Sequence, residues 1–134
     1  MRLIPLPAFQ DNYYPDHIGG IDALRAQSPE KLAALPGNTR ACRTHEYTLS
    51  NLKFALAVEP GNLQLVNDSK RCEELRTQGL PTLPSSIELE RQVNPFLRTR
   101  EPAVAQAARR HDAATAPDQV SVSATVRQWK NGFR

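Results

Sequence analysis

The placement of proline constrains this chain more than any other feature of its sequence. Most of the 11 prolines lie in two regions, residues 5–36 and 81–102. Proline has no backbone N–H and disrupts the interior of a helix, so we expect only short segments in both regions. Between Thr48 and Gly79, apolar residues recur at three- and four-residue steps and favour two longer helices, separated at Pro60–Gly61.

The first 45 residues are predicted to hold two strands at most. Residues 2–9 read as a short extended segment, and residues 39–44 as a strand of five or six residues. Between them we expect a short helix that begins after Gly19–Gly20 and stops before Pro29. A further helical turn should end at Pro36–Gly37.

Residues 46–134 are predicted to be mostly helical. After helices over 48–60 and 62–78, residues 80–86 form an extended connector, and Ser85 or Ser86 caps a helix that Pro95 ends. Two more helices are expected over 102–110 and 118–131. Since a pair of strands is marginal by itself, the predicted class is α+β, mostly α. The predicted apolar anchors of helices 62–78 and 118–131 are Leu63, Val66, Cys72, Leu75, Val120, Val122, Val126 and Trp129.

Positive charge is concentrated in the last third of the chain. Residues 91–134 hold eight Lys or Arg against three acids, a net charge of +5, whereas the whole chain carries +3. This asymmetry indicates an anionic ligand. Aromatic residues make up 6% and do not interleave with the arginines, which argues against nucleic acid.

Cysteine content and hydropathy favour a cytoplasmic protein. The two cysteines, Cys42 and Cys72, form no CxxC motif, as expected of a reduced cytosolic chain. No stretch approaches the roughly 18 apolar residues that a membrane span requires. The first 12 residues are too short and too interrupted by proline for a signal peptide.

The adjacent pair Asp16–His17, followed by Gly19–Gly20, has two interpretations. It resembles half of a metal site, because carboxylate and imidazole are suitable ligands for zinc or iron. It can equally be a helix N-terminus, with an acidic residue in the first turn and an exposed histidine. The residues alone leave both readings open.

Several segments, in the same order throughout, resemble the glyoxalase II family, the hydroxyacylglutathione hydrolases of the metallo-β-lactamase fold. They are IPLPAFQDNYY, DHIGGIDAL, HEYTLSNLKFA, GLPTLPSSIELERQVNPFLR and VRQWKNGF, of which the His-Glu-Tyr-Thr segment is the most specific. The resemblance implies a remnant of the metal-binding αββα sandwich over residues 1–45. It also implies a helical, glutathione-binding domain over residues 46–134.

The chain departs from the family pattern at the metal site. Asn12 and Tyr14 stand where the family's motif has two histidines, and the family's Gly-His-Thr and Gly-Asp-Thr segments are missing. Two internal blocks therefore look deleted, one near Tyr14–Pro15 and one near Ser28–Glu30. The resemblance implies that Asp16, His17 and His45 match ligands of one metal. The family binds two zinc or iron ions, and at most one is plausible here, bound weakly or not at all.

The positions that match the family's substrate contacts depart less from the family pattern than those of the metal site. The resemblance implies that Tyr47, Arg127 and Lys130 match the family's glutathione contacts. Arg127 and Lys130 are three apart, so on a helix they share a face and can meet one carboxylate. The alternative for the two cations is an exposed basic helix face, and for Tyr47 a half-buried residue with a wet hydroxyl. His111 matches nothing and is expected at the surface. Helix packing or capping is expected of Asn51, Phe54, Asn94, Pro95, Phe96 and Arg98.

The family reaction hydrolyses S-(2-hydroxyacyl)glutathione to glutathione and a 2-hydroxy acid. This chain is interpreted as an internally deleted member in which that activity is lost or severely impaired, so no catalytic residue is assigned. One alternative is a non-catalytic module that binds a glutathione thioester or a protein. Another is a degenerate product without function. Helix faces that once covered the sandwich could also drive self-association.

Overall fold

The computed structural model describes residues 30–42 and 46–134, and its architecture there is mostly helical. Two short strands, β1 (Arg40–Ala41) and β2 (Ser85–Ser86), accompany five helices. The helices are α1 (Thr48–Val58), α2 (Leu63–Thr77), α3 (Ile87–Val93), α4 (Pro102–His111) and α5 (Gln119–Gly132). Residues 30–33 form one further helical turn. The predicted class, mostly α with few strands, is confirmed.

The helices begin and end where local chemistry favours it. Asn62 caps α2 by accepting the Leu65 N–H at 3.1 Å, and Ser86 caps α3 by accepting the Leu89 N–H at 3.2 Å. Asp118 does the same for Ser121 at the start of α5. Pro102 occupies the first position of α4, where its missing N–H costs nothing. After α2, Gly79 adopts a φ of 72°, which favours glycine at a helix end.

The strand pair is smaller than the sequence predicts. β1 pairs antiparallel with β2 through Arg40↔Ser86 and Ala41↔Ser85. The strand expected over residues 39–44 thus covers two described residues, and residues 43–45 lie outside the described part. The partner strand comes from residues 80–86, for which the sequence predicts only an extended connector. The pairing attaches residues 40–41 directly to the start of α3.

Two apolar clusters hold the helices together. In the first, α1, α4 and α5 meet around Phe54, which is 1% exposed, and the second joins α1, α2 and α3. Burial of such side chains contributes about 1.5–3 kcal/mol each. The first cluster contains Phe54, Val58, Val104, Ala107, Ala108, Val122 and Val126, and the second contains Leu52, Ala55, Leu65, Cys72 and Val93.

Not every predicted anchor is buried. Val122 and Val126 are fully buried, but Val120 is 40% exposed and Leu63 is 75% exposed. The buried side of α2 instead runs along Leu65, Asp68, Ser69 and Cys72. Leu63 is the first residue of α2 and lies outside its buried side.

Residues 1–29 and 43–45 lie outside the described part, so the extended segment at 2–9 and the helix after Gly20 stay predictions. No helix among the described residues is long and apolar enough to cross a membrane. A cytoplasmic location also stays a prediction.

Candidate ligand-binding groove

A groove of about 380 Å³ opens beside α1, α3 and α5. Apolar side chains that are buried in the fold, such as Leu52, Ile87 and Val93, form part of its lining. The connector before β2 contributes Thr82 and Ser85. A concave, mainly apolar site with a few polar groups is the usual form of a small-molecule pocket.

The groove brings together the three residues that the family resemblance selected for substrate binding. Tyr47, Arg127 and Lys130 all contribute to its lining. Tyr47 precedes α1 and is 62% exposed, whereas the two cations project from α5 and are partly buried. These residues are distant in sequence, and the packing of α1 against α5 makes them neighbours of one cavity. Their role in binding stays a prediction.

Each of the two cations lies over an aromatic ring. The Arg127 Cζ is 4.4 Å from the centroid of Phe96, and the Lys130 Nζ is 5.4 Å from the centroid of Phe54. Both distances fall within the range of a cation–π interaction. Phe54 and Phe96 also line the groove. Packing or capping is predicted for both, and both pack in the first cluster. Their contact with the cations depends on the tertiary fold, and the sequence carries no signal for it.

A polar network supports the Tyr47 end of the groove. Glu46 accepts hydrogen bonds from the hydroxyl and the N–H of Thr82, the latter at 3.2 Å. The Thr82 and Thr48 hydroxyls lie 2.7 Å apart. The bond from Thr82 is the main reason that the pKa of Glu46 is lowered. Because the network joins the connector to the start of α1, it fixes the backbone around Tyr47.

One hydroxyl in the lining has no hydrogen-bond partner among the residues that the structure describes. Ser85 Oγ is buried and makes no hydrogen bond among the described residues. Ser85 belongs to β2 and contributes to the groove. A buried polar atom without a partner is costly, so this hydroxyl is available to a water or a ligand.

Both cysteines lie along the groove and differ in exposure. Cys42 is exposed and Cys72 is buried, and neither forms a disulfide. Burial raises the pKa of the Cys72 thiol, and the nearby Asp68 carboxylate adds to the effect. Cys72 is therefore an unreactive packing residue, as the sequence context suggested.

His111 has a structural partner. It is exposed, as predicted, and its ring stacks on Trp129 with centroids 4.5 Å apart and planes 7° from parallel. The contact joins the end of α4 to α5, away from the groove lining.

Comparison with known proteins tests the assignment of the chain to a family. A family model described as "Hydroxyacylglutathione hydrolase C-terminus" matches residues 46–133. The chain belongs to the hydroxyacylglutathione hydrolase family. It is similar to proteins named hydroxyacylglutathione hydrolase from Albidiferax ferrireducens (58% identical over 114 residues) and Cupriavidus taiwanensis (52% over 115 residues). The relative from Nitrosomonas europaea is 47% identical over 107 residues.

The similarity covers most of this chain but less than half of each relative. It spans 85%, 86% and 80% of this chain, against 44%, 43% and 41% of those three hydroxyacylglutathione hydrolases. The chain therefore spans less than half the length of the curated relatives it matches. For this chain, the activity of a whole hydroxyacylglutathione hydrolase is accordingly a proposal.

The predicted metal ligands Asp16, His17 and His45 all lie outside the described residues. Within residues 30–42 and 46–134, no three His, Cys, Asp or Glu side chains cluster as metal ligands. The described residues of this family member therefore supply no set of metal ligands. A zinc or iron ion at Asp16, His17 and His45 stays a prediction.

Proposed function

We propose that this chain binds glutathione and its S-(2-hydroxyacyl) thioesters in the groove, through Tyr47, Arg127 and Lys130. One observation carries the proposal: the three residues selected by resemblance line a single cavity. Membership of the hydroxyacylglutathione hydrolase family supports this class of ligand.

The chemistry of the groove suits such a ligand. Glutathione carries two carboxylates, and Arg127 offers a planar fork of donors while Lys130 offers a compact charge. Charge-assisted hydrogen bonds to carboxylates are the stronger class, particularly beside apolar walls. Tyr47 adds a hydroxyl that can donate or accept.

We propose further that hydrolysis is lost or severely impaired. In the family, metal ions activate a water and polarise the thioester carbonyl. Asn12 and Tyr14 replace two histidines of that site, and the segments that carry other ligands are missing from the sequence. Asp16, His17 and His45 could hold at most one zinc or iron ion, because three ligands are the minimum of a catalytic zinc site.

Calorimetric titration with glutathione tests binding. Replacing Lys130 or Arg127 with Ala should weaken the affinity about 10-fold, the usual effect of losing a charge-assisted hydrogen bond. Arg110→Ala is the matched control, because Arg110 is exposed on α4 and does not contribute to the groove. Absence of heat with the wild-type chain, or equal affinities for all variants, would refute the binding proposal.

A separate assay tests the loss of activity. The chain, incubated with zinc or with iron, should hydrolyse S-lactoylglutathione hardly above the buffer rate, and metal analysis should find at most one ion per chain. A full-length relative purified alongside provides the reference. A rate near that reference would contradict the proposal.

Self-association is a further proposal. Leu63 on α2 and Val120 on α5 expose apolar side chains that could pack against a second copy. Sedimentation velocity across a range of concentrations, with Leu63→Gln for comparison, tests this. A monomer at all concentrations would exclude it.

A further inference from the structure

Phe54 and Phe96 form a pair of stacked rings beside the groove. Their centroids are 6.1 Å apart and their planes differ by 23°. Phe54 comes from α1 and is 1% exposed, whereas Phe96 lies in the loop that follows α3 and is partly buried. We call this pair the aromatic platform.

The aromatic platform is fixed by contacts on several sides. Trp129 and Phe133 meet Phe54 edge-on, with centroids 5.6 Å and 5.3 Å away. The backbone N–H of Phe96 donates to Asn94 Oδ1 at 3.0 Å, which orients the loop. The platform is therefore part of the packed fold, while the side chains that lie on it are long and flexible.

The two groove cations lie on the platform, one on each ring. Arg127 lies over Phe96 and Lys130 over Phe54, at 4.4 Å and 5.4 Å from the respective centroids. Both cations come from α5, whereas neither ring does. The arrangement thus joins the charged helix to α1 and to the loop after α3.

We propose that Phe96 and Phe54 are positioning residues that hold Arg127 and Lys130 toward the groove before a ligand arrives. A free Arg or Lys side chain loses rotamer freedom when it binds an anion. Stacking on a ring restricts the side chain before the ligand binds. The entropy cost of binding is then smaller, and the affinity is higher. As applied to glutathione, the inference rests on the proposed function above.

The first test needs no ligand. A proton above an aromatic ring is shifted upfield by the ring current, so NMR of the full chain should show shifted side-chain protons for Arg127. Phe96→Leu should return these resonances to their ordinary positions, because it keeps an apolar side chain and removes the ring. Phe96→Tyr should retain the shift. Unshifted Arg127 resonances in the wild type would overturn the inference.

The second test measures glutathione affinity by calorimetry. The loss of one cation–π contact in Phe96→Leu should weaken binding about three- to tenfold. Phe96→Tyr should restore affinity to within about twofold of the wild type, since the ring returns. Equal affinity of Phe96→Leu and the wild type would overturn the positioning role.

A stability control separates positioning from general loosening of the fold. Leu65→Ala opens a cavity in the second apolar cluster, at a fully buried site outside both the groove lining and the cluster around Phe54. It should lower Tm and leave affinity within about twofold of the wild type. A Leu65→Ala loss of affinity as large as that of Phe96→Leu would refute the inference. If the wild type binds no glutathione, the proposed function fails, and the Arg127 ring shift still decides whether the platform positions the cation.

Discussion

Arg98 and Glu59 form a two-point ion pair between the end of α1 and the loop that follows α3. The Arg98 Nε lies 2.7 Å from Glu59 Oε2, and the Nη2 lies 3.0 Å from Glu59 Oε1. Glu59 is 6% exposed. The Arg98 Nη1 also donates to the Arg91 carbonyl at 3.0 Å. The hydrogen bonds to Glu59 are the main reason that the pKa of Arg98 is raised.

Breaking this pair should be costly. Arg98→Met keeps the aliphatic stem but leaves the Glu59 carboxylate buried without its partner. We expect the free energy of unfolding to fall by about 3 kcal/mol, at the lower end for a buried pair because Arg98 retains some exposure. Urea denaturation monitored by circular dichroism measures this.

Arg100→Met provides the control for that measurement. Arg100 pairs with Glu30 at the surface, and both side chains are exposed. Its replacement should change stability by less than about 1 kcal/mol. Equal losses of stability in Arg98→Met and Arg100→Met would show that the buried pair with Glu59 stabilises the fold no more than the surface pair.

The carboxylate of Glu46 should make stability depend on pH in the acid range. Its pKa is lowered in the folded chain, mainly by the hydrogen bond from Thr82. The stabilisation is therefore present above the unfolded pKa of about 4.3 and is lost as pH falls through the lower pKa of the folded chain. Tm of the wild type should exceed that of Glu46→Gln at pH 7, and the gap should narrow as pH falls below the unfolded pKa of about 4.3.

Asp118 has a lowered pKa for the same kind of reason, a hydrogen bond from Ser121. Asp118 therefore also makes stability depend on pH on the acid side, so the difference between wild type and Glu46→Gln is the informative quantity. Thr82→Val should reduce the gap at pH 7 because it removes the hydroxyl donor. A gap that is constant from pH 7 to pH 3 would disprove the role of Glu46.

Asn62 should stabilise the chain more than an ordinary helix cap. Its side chain caps α2 and also donates to the Gln92 carbonyl of α3 at 2.8 Å. Asn62→Ala should cost about 2 kcal/mol, roughly half from the cap and half from the second bond. Asn62→Ser keeps the cap and should recover about 1 kcal/mol in urea denaturation. Equal stability of Asn62→Ser and Asn62→Ala would contradict this division of the cost between the cap and the second hydrogen bond.

The Tyr47 hydroxyl should contribute to glutathione binding without affecting stability. Tyr47 is 62% exposed, and Tyr47→Phe removes its hydroxyl from the groove while keeping the ring. We expect affinity to fall about three- to tenfold by calorimetry, as for one lost hydrogen bond. Tm should stay within about 1 °C of the wild type. Unchanged affinity would remove Tyr47 from the proposed site.

Most of the helical architecture could be predicted from the sequence. Helix periodicity, together with signals such as the Ser86 cap, Pro95 and Gly79, places each helix of residues 46–134 within a few residues of its observed bounds. These signals are local, so a single sequence carries them. The predicted helix over 102–110, for example, is observed as Pro102–His111.

Other features depend on contacts that local patterns do not encode. Asp68 lies on the buried side of α2 because Arg71 pairs with it at 2.6 Å, and no periodicity predicts that a carboxylate replaces an apolar anchor. The contact of Arg127 with Phe96 likewise requires α5 to meet the loop after α3. Family resemblance identified the cations of the groove, and the fold was needed to identify the rings beneath them.

The contrast between the two cysteines makes this chain convenient for labelling experiments. Cys42 is exposed at the groove, while Cys72 is 1% exposed and its thiol has a raised pKa. A maleimide fluorophore should therefore attach at a single position, without any engineered substitution. The dye would sit at the groove, where its emission can report ligand occupancy directly.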